Sequence, residues 1–200
     1  MDLGDPSSNR DLRSVVKTVA ALNLGYFGVE FAVALAIGSV ALFADSVDFL
    51  EDGAVNLLIL LGLGWPAARR AKLGMVLAVV ILVPALATLW TAYENYSVGH
   101  VPDAQLLSIT GLGALAVNFF CARMLARFRA DGGSLVRAAF LSARNDVIAN
   151  VAIIVAGLLT TATGSPWPDL ITGLAIAALN AGAAHEVFEA AHAEHKAAQP

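Results

Sequence analysis

Charge is what this sequence has least of. Only 14% of its 200 residues are Asp, Glu, Lys or Arg, whereas soluble domains have about one-quarter. Hydrophobic residues make up 58%, so an ordinary soluble domain is excluded. The net charge of −4 is uninformative by itself, because the side of the membrane on which charges lie matters more. We expect no nucleic-acid partner.

Cysteine, a signal peptide and enzyme motifs are also scarce or missing. The single Cys121 lies in an apolar stretch and cannot form a disulfide within the chain, so it does not indicate a redox compartment. The N-terminus lacks the basic-then-apolar order of a cleaved signal peptide, and we expect residues 1–13 to form a flexible cytoplasmic tail. No nucleophile–base pair or cofactor-binding loop is evident, so we predict that the chain is not an enzyme.

Long apolar runs fill most of the chain. A helix needs about 20 apolar residues to cross a bilayer. Six candidate spans follow one another at residues 15–37, 39–64, 73–97, 103–126, 135–160 and 168–190. The sequence therefore predicts an all-α polytopic membrane protein. Its six-transmembrane-helix bundle would occupy residues 14–192 in a lipid bilayer, with a short cytoplasmic tail at 193–200. We expect a bacterial inner membrane.

Basic residues lie almost entirely on one side of these spans, which fixes the orientation. The positive-inside rule then predicts that both termini are cytoplasmic. Arg144 alone breaks the pattern. It lies inside the fifth span, where an unpaired guanidinium is unfavourable, so we expect it to pair with Asp45 or Glu51. The residues that follow the rule are Arg10, Arg13, Lys17, Arg69, Arg70, Lys72, Arg123, Arg127, Arg129, Arg137 and Lys196.

The second span carries four acids within SVALFADSVDFLEDGAVNLLILL. Asp48, Asp52 and Asn56 are spaced four residues apart, which places them on one face of an α-helix, one turn apart. A carboxylate in hydrocarbon is costly and usually faces a bundle interior, where it often marks an ion pathway. In the first span, Glu30 could be a proton carrier, a pore-lining acid or half of a structural pair.

The fifth span repeats this polar spacing with Ser142, Asp146 and Asn150. The two stripes share a depth near mid-membrane, so four oxygen or nitrogen ligands from two helices could bind a divalent metal. Without the metal, the crowded acids should take up protons, which gives a route to metal/proton exchange. The predicted metal ligands are Asp48, Asp52, Asp146 and Ser142, with Asn56, Asn145, Asn150, Asp45, Glu30 and Arg144 as secondary candidates.

The alternative to a metal site is that the acids have a purely structural role. They would pair with Arg144 and hold the bundle together, although one arginine cannot neutralise five carboxylates: Asp45, Asp48, Glu51, Asp52 and Asp146. Other polar residues in the spans have simpler roles. We expect Asn23 and Asn118 to form hydrogen bonds between helices, Asp169 to cap the sixth span, and His100 to lie in a solvated outer loop.

Two segments resemble the cation diffusion facilitator family. GSVALFADSVDFLED is similar to the family's second helix, whose pattern is an acid or His, three residues, then Asp; Asp48 and Asp52 match it. VRAAFLSARNDVIANVAIIVAG is similar to the fifth helix, where Asp146 matches and Ser142 replaces the usual His. The glutamate and asparagine of span one, the asparagine of span four and the Pro-Asp opening of span six also fit. The resemblance covers nearly all of residues 14–195.

This resemblance implies a homodimer of six-helix subunits that exports Zn²⁺, or a related ion such as Mn²⁺, Co²⁺, Fe²⁺ or Cd²⁺, in exchange for protons. We expect a short form without the family's C-terminal cytoplasmic metal-binding domain. The missing His makes the site harder and weakens the case for zinc. The alternative function is a non-transporting membrane protein with a degenerate metal site, such as a sensor or scaffold subunit.

Overall fold

The computed structural model of the chain describes residues 6–62, 76, 86–129 and 133–197. Within this part of the chain every regular element is an α-helix, which confirms the all-α prediction. The helices are α1 (Pro6–Ile37), α2 (Val40–Gly62), α3 (86–98), α4 (Ala104–Ala126), α5 (Gly133–Thr163) and α6 (Trp167–Ala197). Among the described residues, three helical stretches are long and apolar enough to cross a membrane: Arg10–Ile37, Ala104–Ala126 and Ala139–Thr163.

Both ends of the described chain are more helical than we expected. The first helix already begins at Pro6, so residues 6–13 extend α1 instead of lying in a flexible tail. Proline is favoured in a first helical turn, because its missing N–H would have no partner there. At the other end α6 continues to Ala197, past the expected end of the span at residue 190. About half of the third predicted span, residues 73–75 and 77–85, lies outside the described residues.

Four helices form a bundle against which α6 packs. Helix α1 lies along α2 and α4 lies along α5, while contacts of α1 with α4 and of α2 with α5 close the bundle. Helix α6 contacts both α2 and α5. These contacts bring the polar middle segments of α2 and α5 together and place α6 beside them.

Two apolar clusters enclose a polar middle layer in the bundle. One cluster joins the start of α1 and α5 to the end of α2 and α4, and the other joins the opposite helix ends. The first includes Val16, Val19, Ile59, Leu125, Phe128 and Val136, and the second includes Leu42, Phe43, Leu107, Ile153 and Ile176. The acids and asparagines occupy the helix segments between them, where apolar packing on both sides shields them from water.

The predicted short turn between α1 and α2 is present. Gly38 has φ of 64°, a left-handed conformation that glycine adopts without steric cost. Asn95 donates a hydrogen bond to the Gly38 carbonyl, and His100 Nε2 lies 2.8 Å from the Ile37 carbonyl oxygen. His100 is exposed to solvent, as expected, but its ring also contacts this turn.

Asp169 joins the start of α6 to the start of α2. Its carboxylate accepts hydrogen bonds from Ser39 Oγ at 2.6 Å and from the backbone N–H groups of Val40 at 2.8 Å and Ala41 at 3.2 Å. The expectation that Asp169 caps its own helix is therefore wrong. Gly173 lies one turn further on, where an added Cβ would come within 2.6 Å of the Val40 backbone carbon. The two helix starts are held in close contact.

We expect Asp169→Ala to lower the free energy of unfolding by at least about 2 kcal/mol, because three buried donors would lose a charged acceptor. Asp103→Ala is the matched control, since Asp103 also accepts from two backbone N–H groups, but at the exposed start of α4. That change should cost about 1 kcal/mol. Unfolding of the purified protein in mixed micelles measures both. Equal losses would contradict a special role for Asp169.

Candidate metal centre

A polar cavity of about 400 Å³ lies between α2, α5 and α6. Its apolar wall comes mainly from α6, whereas α2 and α5 supply most of its polar groups. The polar residues on the wall are Asp48, Glu51, Asp52, Ser142, Asn145, Asp146 and Asn180. All four predicted metal ligands are among them, so the structure brings these residues to one cavity.

Helix α2 presents three carboxyl groups to the cavity. Glu51 and Asp52 follow Asp48 by three and four residues, and side chains at either spacing from Asp48 lie on its side of the helix. Asp52 is buried, with 5% of its surface exposed, and Asp48 and Glu51 are partly buried. From sequence, Glu51 is predicted only as a partner of Arg144. Its spacing of three residues from Asp48 is the feature of the sequence that places it on the same helix face.

Asp52 is one of the points at which side chains of α2 and α5 meet. Ser142 Oγ donates a hydrogen bond of 2.9 Å to Asp52 Oδ1. The carboxyl groups of Asp52 and Asp146 also lie within hydrogen-bonding reach of each other. Two carboxyl groups at this distance attract protons or a cation, because two neighbouring negative charges repel in a medium of low dielectric.

The contacts confirm that α2 and α5 run in opposite directions. Along α2 from Asp45 to Asp52, the hydrogen-bonded partner on α5 moves backwards from Asn150 to Ser142. The repeated spacing aligned Ser142 with Asp48 in sequence. Antiparallel packing instead brings Ser142 to Asp52, at the opposite end of the four-residue interval.

Helix α6 completes the cavity with Asn180. This residue is buried, and its Nδ2 donates a hydrogen bond of 3.2 Å to the Ala44 carbonyl oxygen on α2. Ile176, Leu179 and Gly182 line the same side of the cavity. Sequence reasoning gave Asn180 no role, since it stands alone among apolar residues and no repeat or spacing connects it to the acids.

The carboxyl groups surround the cavity without forming a compact cluster. Across residues 6–62, 76, 86–129 and 133–197, no three His, Cys, Asp or Glu side chains converge closely enough to be recognised as a metal-binding group. Asp52 and Asp146, whose carboxyl groups lie within hydrogen-bonding reach, have oxygen-bearing neighbours in Ser142 and Asn145. The cavity therefore favours a set of metal ligands that combines carboxylate, hydroxyl and amide oxygens.

The expected ion pair of Arg144 is not formed. Its guanidinium is exposed and donates to Asn145 Oδ1 at 3.4 Å, whereas Asp45 is completely buried and accepts from Asn150. Arg144 lies two residues from both Ser142 and Asp146, and residues two apart do not face the same side of a helix. Its position in the helix turns it away from the acids, and the explanation of the acids as partners of Arg144 fails.

Most secondary ligand candidates do not reach the cavity. Asn145 lies on its wall. Asn56 donates from Nδ2 to the Asp52 carbonyl oxygen of its own helix at 2.8 Å. Glu30, Asp45 and Asn150 belong instead to a separate, fully buried polar network.

One of the two expected asparagine contacts between helices is present. Asn118 Nδ2 on α4 donates to Asn150 Oδ1 on α5 at 3.1 Å, which confirms that prediction. Asn23 is completely buried, but neither its Oδ1 nor its Nδ2 has a hydrogen-bond partner among the described residues, so the prediction for Asn23 is wrong.

Most of the chain matches a known protein family. The family model described as the cation efflux transmembrane domain matches residues 16–191, which is most of the chain. Members of this family are transporters of cations and lie in membranes. The apolar helices and the buried acids fit that setting. The chain belongs to the cation efflux, or cation diffusion facilitator, family of integral membrane transporters.

Proposed function

We propose that this protein exports a divalent metal cation from the cytoplasm in exchange for protons, and that the metal passes through the cavity between α2, α5 and α6. The observation that carries the proposal is the meeting of Asp52, Asp146 and Ser142 from two antiparallel helices at one buried point. Carboxylates are costly in a membrane interior, and a dication offsets their charge.

We assign Asp48, Asp52, Asp146 and Ser142 as the metal ligands, with Asn145 as a further oxygen donor. Glu51 adds negative charge beside them and favours entry of a cation. All of these groups offer oxygen atoms in their ordinary ionised or neutral forms. Oxygen sites favour Mn²⁺ more than sites with imidazole or thiolate do, while Zn²⁺ also binds carboxylates. Zn²⁺ and Mn²⁺ are therefore the first substrates to test, followed by Co²⁺, Fe²⁺ and Cd²⁺.

Protons are the counter-ions in this proposal. Ligand carboxyl groups must lose their protons to bind a metal, so metal entry expels protons and metal release allows them to return. Alternating access would expose the cavity first to one side of the membrane and then to the other, as in other secondary transporters with a midplane site. The family resemblance further supports six spans, cytoplasmic termini, a homodimer and a place in a bacterial inner membrane.

Metal uptake into proteoliposomes tests the proposal directly. The purified protein, reconstituted with an internal metal-sensitive dye, should transport at least one of Zn²⁺, Mn²⁺, Co²⁺, Fe²⁺ and Cd²⁺ faster than protein-free vesicles. Folded protein that binds metal but transports none of the five would favour the sensor or scaffold alternative. Folded protein that neither binds nor transports would remove the cavity as a metal site.

Ser142 should set the metal preference. We expect Ser142→His to shift competition uptake toward Zn²⁺ over Mn²⁺ by about tenfold, because imidazole binds zinc better than a hydroxyl does. Ser97→His, which places the same side chain at the exposed end of α3, is the control and should leave the ratio unchanged. An unaltered ratio in Ser142→His would place Ser142 outside the ligand set.

A further inference from the structure

We propose that Glu30 and Asp45 form a proton-binding pair that is separate from the metal cavity. The two carboxyl groups share a proton between α1 and α2, and this proton exchanges against metal in addition to the protons on the ligand carboxyl groups of the cavity. The inference rests on the proposed exchange function for its role in transport. The site itself is argued from contacts that do not involve the cavity.

The pair lies in a polar network that crosses all four helices of the bundle. Asn118 on α4 donates to Asn150 on α5, and Asn150 Nδ2 donates to Asp45 Oδ2 on α2 at 2.6 Å. The carboxyl group of Glu30 on α1 lies within hydrogen-bonding reach of Asp45. Each of the four side chains has no more than 1% of its surface exposed. The network is therefore shut off from bulk water on every side.

The two carboxyl groups lack the donors that a pair of charges would need. With both groups ionised, neither oxygen of Glu30 has a hydrogen-bond donor, and Asp45 Oδ1 has none. Asn150 is the one donor to the pair within the part of the chain that the structure describes. An ionised carboxylate without donors is very costly in a buried site. One proton between the two groups removes a charge and supplies the missing donor at once.

No cation compensates for the pair among the described residues. The titratable groups whose charges reach it are Tyr26 on α1, Asp48 and Asp52 on α2 and Asp146 on α5, and all of these are neutral or acidic. The Tyr26 hydroxyl donates to the Thr110 carbonyl oxygen at 2.6 Å, so its proton is engaged elsewhere. A proton is thus the positive charge that suits this site.

Helix α2 connects this pair to the metal cavity. Asp45 precedes Asp48 by about one helical turn, and Asp48 lies on the cavity wall. A dication in the cavity would weaken proton binding at the pair through space, because charges interact strongly at this depth in the bundle. Metal arrival and proton loss are coupled in this way although they occur at different side chains, and the coupling is reciprocal.

Infrared spectroscopy tests the pair without requiring transport. We use the full chain with Asp48→Asn, Asp52→Asn and Asp146→Asn, which removes the cavity aspartates, at near-neutral pH. The spectrum should contain a C=O band of a protonated carboxylic acid that shifts in D₂O. Adding Glu30→Gln or Asp45→Asn should remove or move that band. Adding Asp169→Asn, at a buried carboxylate that already has three donors, should not.

A band that persists unchanged in both Glu30→Gln and Asp45→Asn would overturn the inference, as would the absence of any such band. A band that disappears only when Na⁺ or K⁺ is added would also overturn it, because the site would then be one for a monovalent cation. Because the cavity aspartates are absent throughout, these outcomes do not depend on whether the cavity binds metal.

Transport then tests the role of the pair. In proteoliposomes, Glu30→Gln should reduce metal accumulation driven by a pH difference by about tenfold, within the usual range of coupling between two sites. Its metal affinity in detergent should change little, since Glu30 is not on the cavity wall. Loss of metal binding in Glu30→Gln would overturn a separate proton site. If neither the unaltered protein nor any variant transports metal, the proposed function fails. The infrared result still decides whether Glu30 and Asp45 share a proton.

Discussion

Asp52→Asn and Asp146→Asn should each abolish metal transport by the reconstituted protein. These two carboxyl groups lie within hydrogen-bonding reach at the point where α2 and α5 meet, and asparagine keeps their shape while removing the charge. Loss of a group that merely orients a metal ligand typically costs 10–100-fold in affinity, so loss of a ligand should cost at least about 100-fold. Calorimetry of metal binding and dye-monitored uptake measure the two effects separately.

Asp103→Asn is the matched control for both variants. It makes the same chemical change at the N-cap of α4, outside the cavity, where asparagine caps a helix as well as aspartate does. Transport should be retained. Circular dichroism and elution from a sizing column establish that every variant is folded. Near-normal uptake by folded Asp52→Asn or Asp146→Asn would contradict the ligand set that we assign.

The sequence was sufficient to predict which polar residues of α2 and α5 meet at one cavity. Asp48 and Asp52 follow each other at one helical turn, and Ser142 and Asp146 repeat that interval at the same membrane depth. Regular spacing of this kind depends only on the geometry of a single helix. The alternation of basic and non-basic connections predicts that the two helices are antiparallel, and the pairs Asp45–Asn150 and Asp52–Ser142 together confirm it.

The sequence was insufficient where a contact depends on how two helices rotate against each other. Asn180 reaches the cavity only because α6 packs across α2 and α5. Asp169 was expected to cap its own helix, but the close approach of α2 at Gly173 gives its carboxylate three donors from the neighbouring helix start. Arg144 was assigned a buried partner from its depth alone, although its position in α5 turns it outward.

The division of the middle layer into two sites was also beyond sequence reasoning. Asp45, Asp48 and Asp52 belong to one acidic run, and their spacing alone does not show that Asp45 faces α1 and Asn150 while the others face the cavity. A residue three positions from Asp48 and seven from Asp52 sits near both on a helical wheel. The packing of α1 against α2 determines which way Asp45 faces, because Glu30 meets Asp45 there.

Collapsing the pH difference across the membrane should abolish metal accumulation above equilibrium. In a cavity without metal, repulsion between Asp48, Asp52 and Asp146 favours protonation of at least one of them, and binding a dication reverses that preference. In the proposed exchange, every cycle therefore moves protons against metal. Without a membrane voltage, a pH difference of one unit can support about a tenfold metal gradient for each proton that is exchanged per metal ion.

Vesicles with an imposed pH difference, an internal metal-sensitive dye and a proton ionophore added at steady state measure this accumulation. The stored metal should flow back to the external concentration, and a potassium ionophore alone, which changes voltage but not pH, serves as the control. If the accumulated ratio survives the proton ionophore, metal movement is not coupled to protons, and neither the cavity acids nor the Glu30–Asp45 pair drives it.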